Sequence, residues 1–285
     1  MYRLLIGAAM ALTATSSFAA DYVQQEPVSA PRISGYVEGY LGGVWLHVDD
    51  PFGGGESESG WAAGGDGRVN FPINDRWNIQ TDAIVDSVWM NHQNIYGYGG
   101  AVHAYWRDPS RFAVGAFATI TRYGGDDVGN PYSYTVGPEA QIYFGNVTLY
   151  GQGYYGQLED FIPFAGVPGA DIWGARAALR YYARPNLRLD AELGFQKLNF
   201  PVFIPDIKTF SAAAQVMYRF SGTPWSVFAR YQYERATENF GPASVHADLH
   251  KFIVGVRMNF GTGTLIDEDR NGATMDTVRP NYVLY

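Results

Sequence analysis

The chain of 285 residues contains no cysteine, and its acidic residues outnumber its basic ones. The lack of cysteine excludes disulfides, thiolate metal sites, a cysteine nucleophile and an acylated N-terminal cysteine. With 20 lysines and arginines against 28 aspartates and glutamates, the formal net charge is -8, which argues against a nucleic-acid partner. Beyond the N-terminus, no apolar run approaches the ~20 residues of a transmembrane helix. Glycine (34), tyrosine (21) and phenylalanine (17) are abundant instead, and this composition favours β-structure.

The N-terminus has the pattern of a secretory signal peptide. A basic residue, a short apolar core and the small-x-small sequence Ser17-Phe18-Ala19 follow one another in that order. A buried N-terminal helix is the alternative, but it does not explain this order. We therefore expect residues 1–19 to be removed on export, and residues 20–32, which contain two prolines, to form a flexible lead-in.

Segment 77–90 largely alternates between apolar and polar side chains. Trp77 and Trp89 lie near the ends of its apolar parity, whereas Asp82 and Asp86 lie on the polar parity. Because a β-strand sends alternate side chains to opposite faces, this pattern is typical of a strand between lipid and a wet lumen. The alternation recurs along the chain and predicts an all-β, up-and-down antiparallel transmembrane barrel of about twelve strands. The predicted strands are 33–48, 60–73, 77–90, 95–106, 112–123, 132–144, 147–157, 170–182, 187–198, 207–220, 225–235 and 250–260.

The connections and the aromatic residues support the membrane interpretation. Short turns rich in asparagine, aspartate, glycine and proline alternate with mostly longer loops, so both termini are predicted on the short-turn side. Aromatic residues on the apolar parity form two rows, one near each end of the strands, as expected at the two membrane–water interfaces. A soluble sandwich or lipocalin-like barrel is the alternative, and it would have to bury both rows in one core.

In these features, residues 33–260 resemble Gram-negative outer-membrane β-barrel proteins, porin-like in the broad sense. The resemblance implies a bacterial outer-membrane location, with outer-membrane lipids and lipopolysaccharide as surroundings and no cofactor. Such proteins usually end in an aromatic residue that serves as an assembly signal. Here Phe260 ends the last predicted strand, but residues 261–285 follow and end in Tyr285. We expect this extension to form a solvated periplasmic tail.

Charged residues on the lumen parity divide by sign along the chain. Strand order is spatial order in an up-and-down barrel, so one wall of the lumen is predicted acidic and the other basic. Arg68 is the main exception on the acidic side. The acidic wall comprises Glu38, Asp66, Asp82, Asp86 and Glu139. The basic wall comprises Arg176, Arg180, Arg188, Arg219, Arg230, Lys251 and Arg257.

Two functions fit these walls. A narrow passive pore for small polar or charged solutes is the first, with the walls setting charge preference. The second is a non-conducting structural or adhesive barrel, closed by salt bridges across its lumen, that binds lipopolysaccharide or a partner through its outer loops. Twelve strands lie between the filled eight-stranded and the open sixteen-stranded barrels. The apolar outer loops at 161–164 and 200–205 would provide a binding surface, unless they pack on each other.

A third function, a lipid-modifying hydrolase, depends on the sequence Ser244-x-His246-x-Asp248-x-His250. Same-face neighbours on a strand lie about 7 Å apart, too far for the ~3 Å bond between a nucleophile and its base. The two histidines and Asp248 share one parity and could bind a metal weakly. Residues 267–272 match half of a calcium loop but lack its bidentate glutamate. We therefore predict no enzyme activity, no metal and no cofactor.

Overall fold

The computed structural model describes residues 32–51, 54–90, 93–125, 130–160, 169–201, 205–240 and 243–278. Within these ranges, twelve antiparallel strands close into one barrel, in which β1 pairs with both β2 and β12. The predicted all-β, up-and-down barrel of twelve strands is thus confirmed. The strands are β1 (Ser34–Asp49), β2 (Glu56–Pro72), β3 (Trp77–Met90), β4 (Gln93–Asp108), β5 (Phe112–Gly125), β6 (Tyr132–Phe144), β7 (Val147–Glu159), β8 (Ala170–Arg184), β9 (Leu187–Asn199), β10 (Ile207–Arg219), β11 (Trp225–Phe240) and β12 (Ala243–Phe260).

One helix, α1 (Leu265–Asn271), follows the last strand. Among the described residues, no helix is long and apolar enough to cross a membrane. The predicted signal peptide (1–19) and all but the end of the predicted lead-in (20–32) lie outside the described residues. Those two assignments remain predictions.

The strands separate an apolar exterior from a largely polar lumen. In β3, exposed and buried residues alternate over almost the whole length, with Trp77 and Trp89 exposed and Asp82 and Asp86 buried. Two rows of exposed aromatic side chains surround the barrel, as predicted. The row near the short turns includes Phe71, Trp77, Phe112, Phe144, Tyr181, Phe220 and Trp225. The row near the outer end includes Trp45, Trp61, Trp89, Tyr96, Tyr134, Tyr155, Trp173, Phe195, Phe210 and Phe252.

Several strands extend further at their outer ends than the alternation predicts. β2 begins at Glu56 rather than at residue 60, and β12 begins at Ala243 rather than at residue 250. Beyond the outer aromatic row, neither face of a strand is expected to contact lipid. The sequence there has no need for apolar residues at every second position. Backbone pairing therefore continues where the sequence pattern stops.

The predicted solvated periplasmic tail is wrong for residues 261–278, which turn back into the lumen. The turn is made at Gly261, whose φ of +77° places it in the left-handed region, and whose added Cβ would lie 2.3 Å from a backbone oxygen of Ile33. Thr264 then caps α1, because its side chain accepts a hydrogen bond from the N–H of Asp267. Residues 261–278 are called the inserted segment below; residues 279–285 lie outside the described residues.

Candidate functional site

All twelve predicted wall residues are found in the lumen. Ten of them are buried, and Arg176 and Arg188 are half-buried. The sequence parity therefore identified their side of the strand correctly. Whether they line an open pore remains a prediction, since the lumen between them is occupied.

The two walls meet at the seam where β1 pairs with β12. There Arg257 lies opposite Glu38 in the register, and its Nε donates to Glu38 Oε2 at 2.7 Å. The Arg257 guanidinium also lies 3.5 Å from the centre of the Tyr36 ring. Above this pair, Lys251 Nζ donates to Asp86 Oδ2 at 2.6 Å. On this side the walls neutralise each other by direct contact.

Away from the seam, Glu192 of the wall itself pairs with Arg176 and Arg230, and the inserted segment supplies further anions to Arg180. Arg180 donates to Asp269 Oδ1 at 2.6 Å and to Asp276 Oδ2 at 2.7 Å. Asp276 Oδ1 also accepts from Arg68 at 3.1 Å, and Arg68 in turn donates to Asp82 at 2.9 Å. The chain of ion pairs therefore runs from the basic wall through the inserted segment to the acidic wall.

Backbone groups of the inserted segment are also bound by lumen side chains. Arg107 donates to the carbonyl oxygens of Gly272 at 2.7 Å and Asn271 at 2.8 Å. Gln80 donates to the carbonyl of Met275 at 2.7 Å. Because buried backbone groups are costly without partners, these bonds allow an extended segment to lie inside the barrel.

A buried histidine joins the acidic wall to the end of the inserted segment. His103 Nδ1 lies 2.9 Å from Glu139 Oε1, and its Nε2 lies 3.3 Å from Thr277 Oγ1. Thr277 itself donates to Asp82 Oδ2 at 2.6 Å. No local pattern in the sequence predicts this network, because its members come from four distant parts of the chain.

The outer half of the lumen contains apolar side chains that the sequence analysis did not predict. Val44, Val88, Met90, Leu249 and Ile253 belong to one buried cluster, beside the seam. A second cluster lies towards the outer ends of β5 and β7–β9 and comprises Tyr123, Leu158, Ala170, Ile172, Leu198 and Phe200. The apolar loop residue Phe200 thus packs on the barrel, whereas residues 161–164 lie outside the described residues. The lumen is therefore not polar throughout.

Space remains along the basic wall, where three adjoining cavities share lining residues. The outer, middle and inner cavities have volumes of about 490, 530 and 240 Å³, and each volume includes the open solvent at the mouth of the cavity. Arg176 and Arg230 line both the outer and the middle cavity, and Arg180 and Asp276 line both the middle and the inner one. The open space beside the inserted segment therefore runs along the arginines of the basic wall.

The arginines shift the acidity of the carboxyl groups on the inserted segment. Burial raises the pKa of the Asp276 carboxyl, but Arg180, Arg176 and Arg68 outweigh burial and hold that pKa well below its usual value. Burial acts in the same way on the pKa of Asp269, which Arg180 nevertheless holds below its usual value. Both groups are therefore anions while the segment is inserted.

Solved structures share this architecture at very low sequence identity. The β domain of the Bordetella autotransporter Brka has a TM-score of 0.51 at 9% identity, over 80% of this chain and 100% of that one. The chain has the fold of an outer-membrane β-barrel. The translocator domain of autotransporter NalP from Neisseria meningitidis matches at 11% identity (79% and 88% of the two chains, TM-score 0.49), and the KdgM porin at 8% (78% and 99%, TM-score 0.42). No protein-family model and no curated protein matches the sequence.

The barrel holds the candidate hydrolase residues apart from one another. Ser244 Oγ donates to Asn239 Oδ1 at 2.8 Å, and His246 Nδ1 lies 3.1 Å from the hydroxyl of Thr237. Asp248 accepts from Arg235 at 2.6 Å. Each side chain of the predicted Ser–His–Asp sequence thus contacts a neighbouring residue of β11 rather than the next member of the sequence.

The possible metal sites are likewise not assembled in the part of the barrel that the structure describes. There, no group of three histidine, aspartate or glutamate side chains is placed to hold a metal ion. The half calcium loop, residues 267–272, forms most of α1 and the turn after it. Its Asp269 binds Arg180 and Thr148.

Proposed function

We propose that this protein is a non-enzymatic outer-membrane pore for small polar or charged solutes, which its inserted segment closes and which conducts when that segment is displaced. The observation that carries the proposal is the occupation of the lumen by residues 261–278, held by Arg180 and Arg68 through Asp269 and Asp276. The surrounding outer-membrane lipids and lipopolysaccharide belong to the same proposal, supported by the two exposed aromatic rows.

The contacts of the inserted segment favour a closure that can be reversed. They are mainly ion pairs and hydrogen bonds, and the same lumen groups would be solvated by water if the segment left. An apolar plug would gain much more from burial, at roughly 25 cal/mol per Å² of apolar surface. Leu265 and Met275 provide most of the deeply buried apolar contacts of the segment.

Single-channel recording in planar bilayers tests the proposal. The full-length protein should be closed for most of the recording, whereas a variant carrying both Asp269→Asn and Asp276→Asn should show frequent openings. An Asp108→Asn variant removes a carboxylate that pairs with Arg76 near a short turn, outside the lumen contacts of the segment, and it should behave as the full-length protein does. Heat-modifiable mobility on gels would show that each variant has formed its barrel.

A non-conducting structural or adhesive barrel is the second candidate. Apolar side chains of the strands in the outer half of the lumen favour it, such as Val44, Val88 and Leu249 in the first cluster and Leu158 and Leu198 in the second, because they reduce the space for water and belong to the barrel wall. If a barrel ending at Gly261 folds but shows no conductance, this second candidate replaces the pore.

A further inference from the structure

The carboxylate of Asp276 occupies a cluster of three guanidinium groups that come from opposite sides of the lumen. Its Oδ2 accepts from Arg180 at 2.7 Å and lies 3.4 Å from Arg176 Nη2, both on β8. Its Oδ1 accepts from Arg68, on β2, at 3.1 Å. Planar guanidinium groups bind carboxylates and phosphates in this manner in ligand sites.

The Asp276 carboxylate is bound at the edge of a cavity rather than enclosed in a core. Its side chain retains 25% of its exposure, compared with 5% for Arg180 and 9% for Arg68. Asp276 is also one of the residues that line the middle cavity. A solute in that cavity would therefore reach the same guanidinium groups.

The inserted segment brings two carboxylates to this cluster. Arg68 also pairs with Asp82, and Arg176 also pairs with Glu192, so both arginines keep a partner on the wall when the segment leaves. Arg180 pairs with Asp269 and Asp276, which are both on the inserted segment, so it loses both partners together. An anion with two carboxylates has the charge to replace them.

We propose that the cluster of Arg68, Arg176 and Arg180 and the middle cavity beside it form a binding site for a small polycarboxylate, and that Asp276 is a tethered competitor for that site. An anion that binds the arginines displaces the Asp276 carboxylate and so weakens the closure of the lumen. The effect on conductance rests on the proposed function, whereas the binding site itself does not.

A free anion must compete with the tethered Asp276 carboxylate, and this sets the concentration that it needs. A group held by a short chain acts at an effective concentration on the order of millimolar or above, and a free anion must exceed it. Removal of the tethered carboxylate should therefore increase affinity for the free anion, because the competitor is gone and because a like charge has been removed from the arginines. The gain should depend on the arginines of the cluster and should exceed the effect of removing a carboxylate elsewhere.

Isothermal titration of the full-length protein with succinate, in uncharged detergent at low salt, tests the site. We expect the Asp276→Asn variant to bind succinate at least tenfold more tightly than the wild type. Asp108→Asn, with the same charge change away from the lumen, should bind as the wild type does. Succinamide, the neutral counterpart of succinate, should not bind to any of them. Adding Arg176→Gln to Asp276→Asn should remove the gain.

The proposal is overturned if Asp276→Asn binds succinate no more tightly than Asp108→Asn, or if Arg176→Gln leaves the gain intact. Failure of the site and failure of the pore can be told apart. If the Asp269→Asn and Asp276→Asn double variant conducts but the succinate affinities do not change, the site fails and the pore stands. If the affinities change as expected but the Asp269→Asn and Asp276→Asn double variant does not conduct, the pore fails and the site stands.

Discussion

At the scale of single residues, Arg180 links the barrel wall to the inserted segment more directly than its neighbours on β8. Its guanidinium donates to Asp269, to Asp276 and to both the hydroxyl and the carbonyl oxygen of Thr274. Its side chain is 5% exposed and Asp269 is fully buried. Removal of one partner from a buried ion pair leaves the other charge buried and unpaired. The resulting loss of stability is larger than the stability that the intact pair contributes.

We therefore predict that Arg180→Gln weakens insertion of the segment by about 3–5 kcal/mol. The chain has no cysteine, so a single Ala273→Cys on the buried part of the segment provides a unique thiol. Its labelling rate with a maleimide should rise by at least ~100-fold in the Arg180→Gln background, since about 1.4 kcal/mol corresponds to a factor of ten.

Arg76→Gln is the matched control for this measurement. Arg76 pairs with Asp108 on the surface near a short turn, where its side chain is 48% exposed, and such pairs contribute at most about 1 kcal/mol. The labelling rate at residue 273 should not respond to it. Equal rates in the Arg180→Gln and Arg76→Gln backgrounds would show that Arg180 does not hold the segment.

At the scale of the strands, the sequence was sufficient to predict the number of strands and the lumen side of the charged wall residues. Alternation is a local property, and contact with lipid enforces it residue by residue, as in β3 from Trp77 to Met90. The outer extensions of β2 and β12 were not predictable in this way, since lipid is absent there. The apolar lumen residues, such as Val44 and Val88, were missed because a buried cluster inside the barrel also interrupts the alternation.

The lipid-facing parity of β3 predicts a depth-dependent cost for a charged substitution. Val85 lies on the exterior between the two aromatic rows and is 51% exposed, so Val85→Arg should destabilise the barrel by about 2–4 kcal/mol. Ile73→Arg places the same side chain beside the short turn, where the cost should be about 0–1 kcal/mol. Reversible unfolding in denaturant from lipid vesicles measures both. Equal costs at the two positions would contradict the proposed membrane boundaries.

At the scale of the whole molecule, the position of the inserted segment depends on partners that are far apart in sequence. Asp276 is 96 residues from Arg180 and 208 from Arg68, so no local pattern joins them. The high charge of residues 267–272 predicts a solvated segment. In the structure, however, Asp269 of this stretch pairs with Arg180 of the basic wall. A usable signal was present in Thr264 and Asp267, whose spacing predicts a capped helix. That signal indicates a structured tail but not its location.

The ion pairs of the inserted segment predict that acid opens the barrel. Asp269 and Asp276 have lower pKa values when inserted than the usual value of 3.8, so insertion gains its full electrostatic stabilisation above that pH. The stabilisation decreases as the pH falls below about 3.8 towards the lowered values, because the released segment then binds protons more readily than the inserted one. No loss is expected from these two groups between about pH 7 and pH 5.

Single-channel recordings over this pH range test the prediction. Openings of the wild type should stay rare from about pH 7 to pH 5 and become frequent below about pH 4. The Asp276→Asn variant should open more often than the wild type near neutral pH, and its response to acid should be smaller, since Asp269 is then the carboxylate of the pair that still titrates. If the wild type instead opens between about pH 7 and pH 5, a group other than these two carboxylates controls the closure, because both remain ionised throughout that range.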